Sequence, residues 1–338
     1  MAGRFDFLEI PGGGKRPPPH VAPVAAPVVP PPTVVPTPDF VILPPALPAT
    51  ARSYAPQRLE LVEVIGGPGA ELGQFNRPCG VCVAPDGGIF VADTGNHRVQ
   101  KITPDGKVIG LGGAGSPDVQ LFHNPVGVTT DALGNLFVLC QNGLISKFGP
   151  AGLRHTTFGM TGRQLGQLDG PLGLALDEFH NLWVADTGNS RVQIFTPRGR
   201  AERVFGNSRS LAQPLQKPHG VCLGAGAVYV ADTANHTVVR FDRAGNAEYA
   251  LGSSGTRVGE LSWPVAVAVD TGDHLYVVEA YNHRVQLFPC DDQPRVLWDR
   301  GSHPTLKLDT PRALALAADG SVYVCDTGCH RLVRLQCR

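Results

Sequence analysis

An all-β chain folded as a six-bladed β-propeller is predicted by three observations. A marker proline recurs six times at a spacing of 46–47 residues: Pro78, Pro125, Pro171, Pro218, Pro264 and Pro311. Each opens the same succession of short apolar runs between Gly, Asp and Asn turns. Glycine is abundant, at 41 of 338 residues, and the repeats lack the 3.6-residue apolar rhythm of amphipathic helices.

Within each repeat the elements follow in a fixed order. The first run begins just after the proline, as in Gly80-Val-Cys-Val-Ala84 or Gly173-Leu-Ala-Leu176. A second run ends in an acid, as in Ile89-Phe-Val-Ala-Asp93, Leu182-Trp-Val-Ala-Asp186, Val228-Tyr-Val-Ala-Asp232 and Val322-Tyr-Val-Cys-Asp326. A tight polar turn follows, Thr94-Gly-Asn-His-Arg98 or Ala280-Tyr-Asn-His-Arg284, then a third run such as Val99-Gln-Lys-Ile102. A fourth ends near a glycine, as in Arg203-Val-Phe-Gly206. Short β-branched and aromatic runs between such turns read as strands. Four strands make one small antiparallel sheet, which cannot bury both faces alone, so the repeats must stack around an axis.

The strand count predicts how the ring closes. The sixth repeat reaches only its third strand, Leu332-Val-Arg-Leu335, before the sequence stops at Arg338. One unassigned strand, Leu59-Glu-Leu-Val-Glu-Val-Ile65, precedes the first repeat and is followed by glycine, as other fourth strands are. It is expected to complete the sixth blade. The predicted organisation is therefore a disordered proline-rich tail over residues 1–57 and a propeller over 58–338. The repeats run roughly over 66–110, 111–157, 158–204, 205–250, 251–297 and 298–338, the last completed by 59–65.

Residues 1–57 hold 15 of the 31 prolines. Proline fixes φ and lacks the donor that helix and sheet require, so this stretch favours polyproline II and open coil. It reads as a linker in the first instance and as a docking strip for proline-recognising domains in the second. With 29 basic and 29 acidic side chains, no global field favours nucleic acid or an anionic membrane. No apolar run approaches the roughly 18–20 residues that span a bilayer, and the N-terminal stretch does not read as a secretory signal. A cytoplasmic monomer is the expectation. The eight cysteines follow no small-domain disulfide pattern, and five of them, Cys79, Cys82, Cys140, Cys222 and Cys325, fall in predicted strands. Cys79 and Cys82 have two-residue spacing but no second pair, so no metal or other cofactor is expected.

The segment Val91-Ala-Asp-Thr-Gly-Asn-His-Arg-Val-Gln100 resembles the NHL repeat, with good matches at Asn96-His97-Arg98 and Asn282-His283-Arg284. Partial matches lie at Asn189-Ser190-Arg191, Asn235-His236-Thr237 and Cys329-His330-Arg331. The second repeat departs from the pattern, with Cys140-Gln-Asn-Gly-Leu-Ile145 in place of the turn. The resemblance implies a propeller used as an interaction platform: a scaffold or adaptor, near ubiquitin ligation in tripartite-motif relatives, and an RNA binder in others. The chain has no cysteine–histidine array of RING or B-box type, so any ligase activity needs a partner.

Residues repeated in every blade serve what every blade needs. Asp93, Asp186, Asp232, Glu279 and Asp326, with Arg98, Arg191, Arg284 and Arg331, therefore read as structural: a carboxylate at a strand end accepts turn N–H groups and pairs with Arg. Function is sought where blades differ. The residues just after the marker prolines are Cys79, Val126, Leu172, His219, Val265 and Arg312, and those just before are Arg77, Asn124, Gly170, Lys217, Trp263 and Thr310. These are expected to lie near the channel mouth. Peptide-amidating lyases, which resemble NHL propellers, hold zinc with three channel histidines, whereas here only His219 occupies such a position. Calcium-dependent lactonases need channel carboxylates, and this ring offers none. The expected function is non-enzymatic: a protein or peptide partner bound through a rim of Arg77, Cys79, Lys217, His219, Trp263 and Arg312, with single-stranded RNA as the alternative.

Overall fold

The computed structural model describes residues 58–113, 121–206, 213–290 and 293–338. The proline-rich stretch 1–57, and with it the linker or docking-strip reading, lies outside the described residues. Among those described, 24 strands form six four-stranded antiparallel sheets. Five sheets run in sequence order from an inner strand outward, and the sixth takes its outermost strand from the start of the propeller. The inner strands are Gly80–Val83, Pro125–Thr130, Gly173–Leu176, Pro218–Gly224, Pro264–Val269 and Ala313–Leu316. Blades are numbered 1 to 6 in that order. Cys79, expected inside a strand, sits one residue before it. Its own N–H still reaches Ala92 O at 3.1 Å.

The sixth sheet has the order expected from the strand count. Leu59–Ile65 pairs antiparallel with the last strand, Arg331–Cys337, from Leu59↔Cys337 to Ile65↔Leu332, with a bulge between Leu61 and Glu63. Leu59 is buried, and Leu61 packs partly buried against the same apolar cluster as Val333 and Leu335. The ring is thus closed by residues from the two ends of the propeller.

Six apolar clusters fill the seams between neighbouring blades, which is how sheets too small to bury both faces become stable. Close approach of the inner strands requires glycine at their start. A Cβ at Gly173 would lie 2.1 Å from His219 O, and one at Gly80 would lie 2.6 Å from Val126 O.

The polar turns add hydrogen bonds across the seams. The Thr94 hydroxyl donates to Pro125 O of the next blade, and Thr187, Thr233 and Thr327 donate likewise to Pro218, Pro264 and Pro78, all at 2.6–2.7 Å. A second set uses the histidines. Nδ1 of His97, His236, His283 and His330 accepts the N–H of Asn124, Trp263, Thr310 and Arg77 at 3.1–3.2 Å. Those four nitrogens therefore carry no proton, which fixes the tautomer. Ser190 Oγ takes the same place toward Lys217. To aim its N–H this way, the residue before each marker proline adopts positive φ, between 44° and 57° in all six blades. Bulky Trp263 and β-branched Thr310 are strained there. The seam between blades 2 and 3 lacks both devices, because Gln141 stands where Thr stands elsewhere and the turn, one residue shorter, places Gly143 where His stands. It is held by the apolar cluster of Val126, Phe137, Leu139, Ile145, Leu168, Leu182, Val184 and Phe195.

Candidate functional site

The repeated acid ends the second strand of its blade and is fully buried in blades 1, 3, 5 and 6. In blade 3, Asp186 Oδ1 accepts the Asp169 N–H at 2.7 Å, and Oδ2 accepts Arg191 Nε at 2.7 Å. Asn189 and Gln193 donate to the same carboxylate. Arg191 Nη2 donates to the carbonyls of Gln164 and Gln167. Blade 1 repeats this with Asp93, Arg98, Asn96 and Gln100, and blade 5 with Glu279, Arg284, Asn282 and Gln286. Asp326 binds Arg331 at 2.7 Å in blade 6. Each hub fastens the incoming loop to the turn. The fully buried glutamines were not singled out from sequence, although Gln100, Gln193 and Gln286 recur two residues after the arginine.

Blade 4 departs from this scheme. Thr237 stands where the arginine belongs, so among the described residues Asp232 has only the Gln216 N–H and Asn235 as partners. Burial pushes its carboxyl from 3.8 up to about 6, against the pull of those two hydrogen bonds. A folded-state value above the ordinary one means that the protonated acid is the better fit to the fold. Its stability contribution is complete below about pH 4 and is lost as pH rises through about 6, at roughly 3 kcal/mol for a two-unit shift. Thr237→Arg is expected to raise stability at pH 7 by ~1–2 kcal/mol and to flatten this dependence. Urea denaturation of both proteins at about pH 4.5 and 7 checks it, and an unchanged pH slope would refute it.

The turn face, where these acids end their strands, also carries the channel mouth. Val126 and Val265 are buried in seam clusters, at 4 % exposure each, and so do not present side chains to a ligand. Cys79, His219 and Arg312 are half-buried, and Arg77 and Lys217 are exposed. Arg312 of blade 6 and Lys217 both act electrostatically on His219, and Arg312 and Arg77 both act on Cys79. The mouth thus gathers charge from blades 1, 4 and 6. Burial, then Arg312 and Lys217, lower His219 from 6.5 to about 4, so its imidazole is neutral at pH 7. Burial pushes the Cys79 thiol up, and the thiol donates to Arg77 O at 3.3 Å.

Beside the mouth, Trp263 stacks on Tyr281, with centroids 5.1 Å apart and an interplanar angle of 16°. His236 meets the indole edge at 6.0 Å. Tyr281 is 59 % exposed and was not anticipated as a rim residue. The signal was present: a large aromatic takes the place of the turn glycine in blade 5 alone, where blade 4 has only Ala234. On the opposite face, a cleft of about 560 Å³ between blades 1 and 2 is lined by Phe90, Ile109, Leu111, Leu133 and Pro150. Its charged lining residues, Lys101 and Asp86, are paired with one another at 2.6 Å. Among the described residues, no three His, Cys, Asp or Glu side chains gather as a metal site, and no helix is long and apolar enough to cross a membrane.

The NHL repeat family model matches residues 75–102, 168–195, 215–241 and 261–288, the hub regions of blades 1, 3, 4 and 5. The chain carries NHL repeats within a six-bladed β-propeller. The NHL match skips blade 2, whose turn is degenerate. Among curated relatives, the protein Brain tumor of Drosophila melanogaster is 32 % identical over 143 residues. That alignment covers 41 % of this chain and 13 % of the relative, so this chain matches a small part of a much longer protein. Virginiamycin B lyase from Staphylococcus aureus has a TM-score of 0.59 at 13 % identity, over 83 % of this chain and 99 % of that one. A gluconolactonase from Xanthomonas campestris gives 0.60 at 18 % identity, over 85 % and 99 %. These two structures share the fold with the NHL propeller and, at such identity, nothing more.

Proposed function

We propose that this NHL propeller is a non-enzymatic scaffold or adaptor that binds a protein or peptide through the rim of its turn face. The observation that carries this is the company of unpaired cations and a stacked aromatic pair around the channel mouth. Arg77, Lys217 and Arg312 make no side-chain hydrogen bond or ion pair among the described residues, unlike the arginines of the hubs. Trp263 and Tyr281 offer a rigid apolar surface beside them. Aromatic and Arg side chains of this kind are the usual anchors of protein interfaces. The resemblance to tripartite-motif proteins adds substrate recognition for ubiquitination as a setting in which such a rim would serve. Stacked rings next to cations also suit single-stranded RNA, the second reading. The near-balance of 25 basic and 26 acidic residues over 58–338 weighs against a polyanion.

Proximity labelling in cells with the full chain tests the rim, comparing it with the Trp263→Ala, Arg312→Ala double variant. Loss of specific labelled proteins at unchanged melting temperature is the expected result. An identical labelled set would refute the rim. RNA binding as strong as protein binding, and steeply salt-sensitive, would favour the second reading.

A further inference from the structure

The cleft between blades 1 and 2 lies where the next two seams place an aromatic ring. In those seams the outer strand of one blade ends in phenylalanine, which lies over the outer-turn glycine of the following blade. A Cβ at Gly199 would sit 2.4 Å from Phe158, and one at Gly245 would sit 2.8 Å from Phe205. Blade 1 has the smaller Leu111 at the equivalent position, opposite Val99 as Phe158 is opposite Ile145. A Cβ at Gly152, the matching turn glycine of blade 2, would meet nothing within 4 Å among the described residues. Two apolar side chains of the walls, Ile109 and Leu133, are 45 % and 73 % exposed. Lys101 and Asp86 neutralise one another there, so the cleft offers shape and apolar surface but no free charge.

We propose that this cleft receives a segment of the chain's own N-terminal stretch, Phe40-Val-Ile-Leu43. The place where that stretch joins the propeller favours it. The last strand starts at the turn face with Arg331 and ends at the opposite face with Cys337, and Leu59 pairs with Cys337. The preceding residues therefore meet the propeller on the face that carries the cleft. Leu59 packs in the seam between blades 5 and 6, two blade spacings from the cleft. At twice the ~10 Å between packed sheets, that is about 40 Å around the ring and less straight across. The 14 residues 44–57 reach up to about 43 Å at the polyproline II rise of ~3.1 Å per residue.

The chemistry agrees. Residues 40–51 carry no charged side chain, and within 1–57 only 40–43 is a run of four large apolar residues. Phe40 brings to this seam the ring that Phe158 and Phe205 bring to the next two. A tethered segment also competes at an effective concentration in the millimolar range, so weak docking suffices to occupy the cleft. The docked segment leaves the turn face, and so the proposed rim, uncovered.

Photocrosslinking of the full chain tests the docking, with p-benzoylphenylalanine in place of Phe40. Irradiation of an equal mixture of unlabelled and ¹⁵N-labelled chains is expected to link position 40 to residues 85–90, 109–111 or 132–152 of the same chain. Ile109→Ser combined with Leu133→Ser is expected to cut that yield about tenfold. In a second measurement, a fluorescein-labelled peptide of residues 40–51 is added to the full chain. It should bind the Phe40→Ser, Ile42→Ser variant about tenfold more tightly than the wild type, because the tethered competitor is gone. Those two substitutions lie outside the propeller, so this arm decides the matter even where the cleft variant melts early. Crosslinks to other parts of the propeller, or none, would overturn the proposal. Links between light and heavy chains would overturn it in favour of a second copy as the occupant. Equal peptide binding by wild type and the Phe40→Ser, Ile42→Ser variant would overturn it as well.

Discussion

Deleting residues 58–65 is expected to cause self-association and to abolish a cooperative melt. These residues are the fourth strand of blade 6, paired along the last strand from Cys337 to Leu332. Without them the last strand becomes an unpaired edge whose N–H and C=O groups invite pairing with another chain. Leu335 and Val333 lose the cover of Leu59 and Leu61. Burying one leucine contributes roughly 2 kcal/mol, and the ring seam loses two together with its ladder. Size-exclusion chromatography with light scattering, followed by a thermal melt, measures the outcome. A monomeric, cooperatively melting deletion would show that the ring does not depend on this strand.

The same geometry provides a rescue that separates closure from simple loss of mass. Arg58 and Arg338 face each other across the pair. Arg338 N–H donates to Arg58 O at 3.0 Å, and Arg58 N–H donates to Arg338 O at 3.4 Å. A two-residue Asn-Gly connection can join such a pair as a hairpin. A circular permutant that runs from residue 66 to Arg338, through Asn-Gly, and on into 58–65 should fold and melt cooperatively. Failure of the permutant alongside failure of the deletion would assign the strand a role in folding order beyond closure.

The fold was legible because a propeller repeats its instructions. Six prolines in phase set the register, and a missing strand at one end matched a spare strand at the other. The hubs were legible only in part. An acid and an arginine five residues apart on adjoining strands suggested a pair, but the partner N–H of Asp169 lies 17 residues before Asp186. That distance becomes a contact only once the incoming loop lies over the turn. The buried glutamines were in phase, but a lone polar residue on a strand usually points outward, so nothing in the sequence set them apart from solvated ones. The rim was the least legible part. Val126 and Val265 occupy positions equivalent to His219 and Arg312, yet lie buried in the seams at 4 % exposure. Equivalent positions in a ring share a backbone path, whereas exposure depends on which neighbours fill the seam. Tyr281 entered the rim at a turn position that is glycine or alanine in the other NHL-type turns, a change that alters no strand pattern.

Asp186→Ala is expected to cost about 3–5 kcal/mol, the largest effect of a single side chain in this propeller. The carboxylate is fully buried, and the side chain of Arg191 is 9 % exposed. Removing the acid strands that guanidinium, leaves the Asp169 N–H without its acceptor, and takes one of two acceptors from each of Asn189 and Gln193. Most of the cost is the penalty of an uncompensated buried charge and not the intrinsic worth of the pair. That attribution has its own consequence. In the Asp186→Ala background, Arg191→Ala should cost less than it does alone, with a coupling of at least ~1 kcal/mol. Urea denaturation of the four proteins measures both quantities. A loss below ~1 kcal/mol for Asp186→Ala would mean that the loop over the turn is held by its other contacts. Additive losses would mean that the arginine is anchored by the carbonyls of Gln164 and Gln167, with the acid a bystander. Because blade 4 already lives without the arginine and tolerates Asp232 with two partners, the ring as a whole can absorb one incomplete hub. The cost at Asp186 arises because its blade kept the cation, and a buried cation cannot be left alone.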